Sequence, residues 1–204
     1  MAKKDGTADL RVKRTQKAIK HALLALIEEN GFEHITVKDI TDKAEISRNT
    51  FYLHYEDKYD LTNKMCDELV RKLFFNVGKQ LRREQKLTFD TQSAARIMQI
   101  AIEIINSDKD EYRILFSCSG SDILEGKLSQ TIRKALGLIK DETEGIHDYS
   151  VEYIVAGIIG IMKYQVTNNP TNVNAECEYF AAVHLSKIIE TIKEHKKRTR
   201  QQKI

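Results

Sequence analysis

The residues best suited to chemistry lie close together, between Thr36 and Lys58. Ser47 offers a hydroxyl, Arg48 a guanidinium, Asn49 a carboxamide, Thr50 a hydroxyl with a methyl, and Tyr52 a phenol. A guanidinium and a carboxamide match the donor and acceptor patterns on base edges in the major groove of duplex DNA, and hydroxyls serve phosphate oxygens. No comparable set exists for covalent or acid–base catalysis. There is no G-x-S-x-G and no phosphate-binding loop. His147 and His184 lack partners at metal-ligand spacing, and Asp108, Asp110 and Glu111 read as helix caps and solvated surface. The expectation is a protein that is not an enzyme and takes no cofactor or metal.

Such groups need elements that hold them outward. Thr36 reads as an N-cap, with Asp39 three residues on where the helix dipole favours a carboxylate. Ile40 and Ala44 continue an apolar face, Glu45-Ile46 turns the chain, and Ser47 is a second N-cap. A very short helix then runs from Arg48 to Leu53. Two short capped helices joined by a tight turn form a helix-turn-helix by spacing. Asp57 is a third cap. After it Leu61, Met65, Leu69, Leu73, Val77 and Leu81 step by four along one long helix. Upstream, Ile19, Ala22, Leu23, Leu26 and Ile27 mark a helix from Leu10 that Asn30-Gly31 stops, with Phe32-Glu33-His34-Ile35 as connector. Its opening carries Arg11, Lys13, Arg14, Lys17 and Lys20 without an acid, a local basic cluster.

Composition agrees with helices. The chain has 204 residues, 41% hydrophobic and 31% charged, with one proline, nine glycines and no tryptophan. That is enough apolar material for a core and too few turn residues for a hairpin-rich β-protein. The net charge of +3 is too small to announce a nucleic-acid binder. Residues 1–60 and 61–150 are each neutral, so a DNA face must come from local segregation of charge. Three scattered cysteines, Cys66, Cys118 and Cys177, give no disulfide framework and read as reduced, buried thiols of a cytoplasmic protein. The most apolar stretch, 155–162, is too short to span a bilayer. Met1-Ala2-Lys3-Lys4-Asp5 has no apolar run after its lysines, which predicts no secretory leader.

Beyond a break at residues 86–90, amphipathic segments follow at about 91–106, 111–118, 122–140 and 149–167. A loop holds Pro170, and a last helix starts near Asn174 and enters the basic run of residues 195–200.

The run Ile35-Thr36-Val37-Lys38-Asp39-Ile40-Thr41-Asp42-Lys43-Ala44-Glu45-Ile46-Ser47-Arg48-Asn49-Thr50-Phe51-Tyr52-Leu53-His54-Tyr55-Glu56-Asp57-Lys58 resembles the DNA-binding domain of TetR-family transcription regulators, over about residues 10–62. The matching pattern is Thr50-Phe51-Tyr52-Leu53-His54-Tyr55 followed by Lys58. Two positions depart from it: Asn49 stands where the family often has glycine, and Tyr55 where it has phenylalanine. Asn49 adds a side chain at the DNA face, so base preference does not carry over.

The resemblance implies an all-α fold. An N-terminal three-helix DNA-binding domain (1–60) is joined by a long fourth helix to a helical effector-binding and dimerisation domain (61–204). It implies phosphate contacts from Thr36, Ser47 and Lys58. Arg48, Asn49 and Thr50 face the groove, and Tyr52 lies on the sugar-phosphate edge. His54 serves phosphate or packing. Phe51, Tyr55, Ile40 and Leu61 read as core. Asp57 and Asp60 stabilise the start of the fourth helix.

The remaining chain carries two apolar stripes. Val151–Tyr164 is nearly all apolar, with Gly157 and Gly160 permitting close helix approach, and Phe180, Val183, His184, Lys187, Ile188 and Thr191 mark the last helix. Pairing with their twins would make a four-helix dimer interface; serving the monomer core is the other reading. Met98, Ile102, Tyr112, Phe116 and Tyr164 are either effector contacts or core. The function so implied is a homodimeric repressor on a palindromic duplex operator, released by a small molecule and without a membrane role. The alternative is an activator or DNA-bound interaction protein of the same fold whose signal is a protein partner. The C-terminal half has a faint likeness to the dihydroxyacetone-kinase operon activators.

Overall fold

A computed structural model of the chain describes residues 6–84, 90–118, 121–137 and 148–186. His147, Lys187, Ile188, Thr191 and the basic run at 195–200 lie outside them, as do residues 86–89 of the expected break and 138–140 of the expected seventh helix. Among the described residues the regular elements are all helical: α1 (Gly6–Asn30), a 3-10 turn (Phe32–His34), α2 (Val37–Lys43), α3 (Arg48–Tyr52), α4 (Lys58–Glu84), α5 (Thr91–Ser107), α6 (Lys109–Ser117), α7 (Ser121–Gly137), α8 (Asp148–Asn168) and α9 (Val173–Phe180), which runs on into a π-helical turn at Ala181–Leu185. Helix α1 begins four residues before the expected Leu10. Residues 6–9 carry no apolar period, so nothing in the pattern marks that extra turn.

Two compact units emerge: Met1–Glu68 with Ile114–Leu124, and Leu69–Arg113 with Glu125–Ile204. In the first, the stripe Ile19, Ala22, Leu23, Leu26 and Ile27 of α1 packs with Phe32, Ile35, Ile40, Phe51, Tyr55, Leu61 and Met65. Ile114 and Cys118 join the same core, which is why this unit reaches beyond the sequence boundary at residue 60. Each fully buried Leu, Ile or Phe contributes roughly 1.5–3 kcal/mol relative to exposure. The core therefore carries short helices that could not stand alone in water.

In the second unit Ala95, Met98 and Ile102 of α5 pack on Ile154 of α8 and on Cys177 and Ala181. Gly157 allows a close approach there: a Cβ at that position would lie 3.0 Å from the Phe180 ring, which would have to shift to receive it. Ion pairs tie α7 to α8, with Arg133 binding Glu152 in bidentate fashion at 2.8 and 2.6 Å and Lys163 binding Glu125 at 2.9 Å. Helix α8 closes with Asn169 at a φ of 49°, its N–H donating to the Gln165 carbonyl at 3.2 Å. No described helix is long and apolar enough to cross a membrane.

Candidate nucleic-acid interface

Every boundary of the helix-turn-helix is held by a named hydrogen bond. Thr36 opens α2 with a capping box: the Asp39 N–H donates to Thr36 Oγ1 at 3.3 Å, and the Thr36 N–H donates to Asp39 Oδ2 at 2.8 Å. The Thr36 hydroxyl also donates to Asp39 Oδ2 at 2.6 Å. These bonds, the side-chain one foremost, hold the Asp39 carboxyl below its ordinary range. The Thr36 hydroxyl must therefore leave Asp39 before it can donate to a phosphate.

The turn after α2 has the two bonds of a Schellman motif. The Ile46 N–H reaches the Thr41 carbonyl at 3.0 Å and the Glu45 N–H reaches the Asp42 carbonyl at 3.2 Å. This geometry needs a left-handed residue, and Glu45 supplies it with a φ of 54°. Ser47 then caps α3, accepting the Thr50 N–H at 3.1 Å, with its hydroxyl 2.8 Å from that of Thr50.

Helix α3 has one inward anchor, Phe51, which is fully buried and lies 5.6 Å from the ring of buried Tyr55. A five-residue helix with Phe51 pointing in must turn its other side chains out. Arg48 and Asn49 are exposed, and Thr50 is half-buried. Tyr52 is 56% exposed and stands edge-on to Phe51. His54 is half-buried beside the Tyr55 ring. The structure thus brings Ser47, Arg48, Asn49, Thr50 and Tyr52 together on one short helix, with His54 at its end.

Lys58 goes elsewhere. Its ammonium donates to the carbonyls of Phe32 and Glu33 at 2.9 and 3.0 Å. It lies 4.9 Å from the Phe32 ring centroid and 5.3 Å from that of Tyr59. Two of its three donors are engaged within its own domain, where the expectation had them on phosphate. Spacing along the chain could not reveal this, because the accepting carbonyls lie far back, at the start of the 3-10 turn.

Sequence reasoning overlooked Leu53, which closes α3 and is 80% exposed. The signal was available: at helical spacing the residue two after an inward Phe51 falls on the opposite face. An apolar side chain there offers contact to a thymine methyl or a sugar edge.

The expected effector residues separate. In the second unit a groove of about 350 Å³ between α5, α8 and α9 is lined by Ile102, Tyr164, Gln165, Cys177, Phe180 and His184, among others. Met98 is buried in the core beneath. Tyr112 is buried with its hydroxyl donating to the Leu69 carbonyl at 3.2 Å, and buried Phe116 lies in the 114–124 segment of the first unit. Burial raises the Cys177 thiol to about 11, which leaves it protonated and unreactive. Among the described residues no group of three or more His, Cys, Asp or Glu could hold a metal ion.

Residues 19–65, which contain this helix-turn-helix, match the family described as bacterial regulatory proteins, tetR family. That match covers the N-terminal helix-turn-helix segment of the chain. A curated relative, the uncharacterized HTH-type transcriptional regulator YxbF of Bacillus subtilis (strain 168), is 41% identical over 51 residues. Those residues are 25% of this chain and 13% of that relative's own length. Solved structures agree in fold. A putative TetR-family regulator from Syntrophomonas wolfei superposes with a TM-score of 0.64 at 17% identity, covering 84% of this chain and 93% of that one. The fatty acid degradation regulator FadR from Bacillus halodurans gives 0.63 at 13% identity, covering 84% and 94%. At such identities the TetR-like architecture is shared, and ligand residues are not transferable.

Proposed function

We propose that this chain is a tetR-family homodimeric repressor that reads a palindromic duplex operator through α3 and leaves it when a small apolar effector binds. The observation that carries the DNA reading is the outward set Arg48, Asn49, Tyr52 and Leu53 on a helix whose only deep anchor is Phe51. Arg and Asn in that position discriminate base edges, each good bidentate contact being worth about 1–3 kcal/mol against a wrong base. Tyr52 covers the backbone edge, and Thr36 and Ser47 fix the register.

Support for the dimer comes from α8 and α9. Tyr149 (89% exposed), Tyr153, Tyr164, Tyr179 and Val183 leave apolar surface in water. Exposed apolar surface gathered on two helices favours a partner, and a second copy would cover it with its own α8 and α9. Support for an effector is the apolar groove beside them, which reaches the same helix face through Gly160 and Tyr164. Occupying the groove would then alter the fit of the twin.

Selection of duplexes from a random-sequence library tests the reading. The chain should enrich a two-fold symmetric site, and Arg48→Ala and Tyr52→Ala should each weaken binding to it at least tenfold with unchanged helix content. Folded variants that bind as tightly as the parent would remove α3 as the recognition element.

A further inference from the structure

We propose that Asp60 and Lys64 of α4 form a clamp that positions α3, and with it the side chains that meet the duplex; the inference rests on the DNA-reading role of that helix. Between Leu53 and Lys58 the chain is not helical, and the connector must fix the angle at which α3 leaves the core. Asp60 and Lys64 stand one turn apart on the same face of α4. Asp60 Oδ2 accepts the Glu56 N–H at 3.0 Å and the Lys64 ammonium at 2.8 Å. The same ammonium donates to the His54 carbonyl at 3.1 Å. The backbone groups on either side of Tyr55 are thus held by two side chains that also hold each other. Asp57 Oδ1 in turn accepts the Asp60 N–H at 2.7 Å, which steadies the base of the clamp.

Tyr55 is gripped from both directions. Its ring is buried against Phe51, and the Lys64 ammonium lies 5.3 Å from its centroid. Without the clamp, the C-terminal end of α3 would be retained mainly by the Phe51 and Tyr55 side chains. A helix of five residues can pivot about that pair, which would swing Arg48, Asn49 and Tyr52 off their targets. As an isolated surface ion pair Asp60–Lys64 would contribute little. Its consequence comes from the two connector backbone groups it holds, because base contacts tolerate little displacement. The Lys64 ammonium and then the Glu56 N–H keep the Asp60 carboxyl below its ordinary range, so the clamp is charged near neutral pH.

Four variants of the full chain decide the matter: Asp60→Asn, Lys64→Met, Lys64→Arg and the double variant of the first two. Amide exchange at Glu56 should quicken about tenfold in the first two and stay near the parent rate in Lys64→Arg. Affinity for the duplex enriched by the parent should fall about five- to tenfold in the first two, with altered base preference, while the melting temperature stays nearly constant. Asp60→Asn is the sharpest case. It removes a negative charge beside the proposed DNA face, which by charge alone would tighten binding. A clamp requires weakening, and the double variant should be no worse than the poorer single one. Unchanged exchange at Glu56 overturns the clamp. Quickened exchange with parental affinity and preference overturns its role in positioning α3. A parent that enriches no duplex removes the DNA reading itself, and exchange at Glu56 still decides whether the clamp exists.

Discussion

The two units treat their apolar residues differently. In the first, the aromatic anchors Phe32, Phe51 and Tyr55 are buried, and each short helix ends in a capping side chain or a backbone turn motif. What α3 and its C-cap leave exposed is mostly polar, with Tyr52 and Leu53 as the exceptions. In the second, α8 and α9 keep tyrosines at Tyr149, Tyr153, Tyr164 and Tyr179 largely in water. On the proposed reading the first unit offers a polar helix to a polyanion, and the second offers exposed tyrosines to a second copy. Two glycines of α8 divide along the same line. Gly157 is closed by Phe180 of its own chain, whereas nothing lies within 4 Å of a Cβ built at Gly160.

That division gives the largest expected effect. Gly160→Arg should leave the monomer folded, since open space receives the side chain, while placing a charge in the proposed twin interface. Light scattering should show monomers where the parent forms dimers, and operator affinity should fall at least a hundredfold as one half-site is lost. Gly157→Ala should do the opposite. It should cost about 1–3 kcal/mol of stability by crowding Phe180, with dimers still forming from the folded fraction. A parent that is monomeric at micromolar concentration would collapse the contrast.

What was legible in the sequence follows the range of the interactions. Thr36, Asp39 and Ser47 were readable as caps because a cap is satisfied within three residues. The stripes of α1 and α4 were readable because periodicity records burial. Tertiary partners were not. The carbonyls that take Lys58 are 25 and 26 residues away. Ile114 and Cys118 enter the first core from far along the chain. Of the expected effector residues only Ile102 and Tyr164 line the groove, since hydrophobicity alone cannot separate a core residue from a lining one.

Lys58 offers the next test. With its ammonium on the Phe32 and Glu33 carbonyls, Lys58→Met should destabilise the first unit by about 1–2 kcal/mol in chemical denaturation, as a lost charge-assisted hydrogen bond does. The slope of log affinity against log salt should stay unchanged. A slope flattened by about two units per dimer would instead place the two ammonium groups on phosphate. The closed character of this domain would then give way on binding.

The capping box adds a pH dependence. The Asp39 carboxyl is lowered in the folded chain, so its contribution is present above the ordinary value of 3.8 and is lost as pH falls through the lower folded value. The melting temperature of the parent should therefore drop in acid below about pH 4, and Asp39→Asn should flatten that limb while leaving the dimer interface untouched. An identical acid limb in the variant would assign the loss to other carboxylates.

The smallest effect separates the units at their two left-handed residues, Glu45 with a φ of 54° and Asn169 with a φ of 49°. Both close a helix, but asparagine tolerates this region and glutamate does not, because its longer side chain has no local hydrogen bond that offsets the Cβ clash. Replacing each by glycine relieves that clash and adds unfolded-state entropy, which opposes the gain. For Glu45→Gly the relief should win, raising stability by roughly 0.5–1 kcal/mol. For Asn169→Gly the two terms should nearly cancel, within about 0.3 kcal/mol. Urea denaturation of both variants measures the pair. No gain in Glu45→Gly, with both changes near zero, would mean that the turn before α3 carries no strain and that Glu45 is held there at no cost.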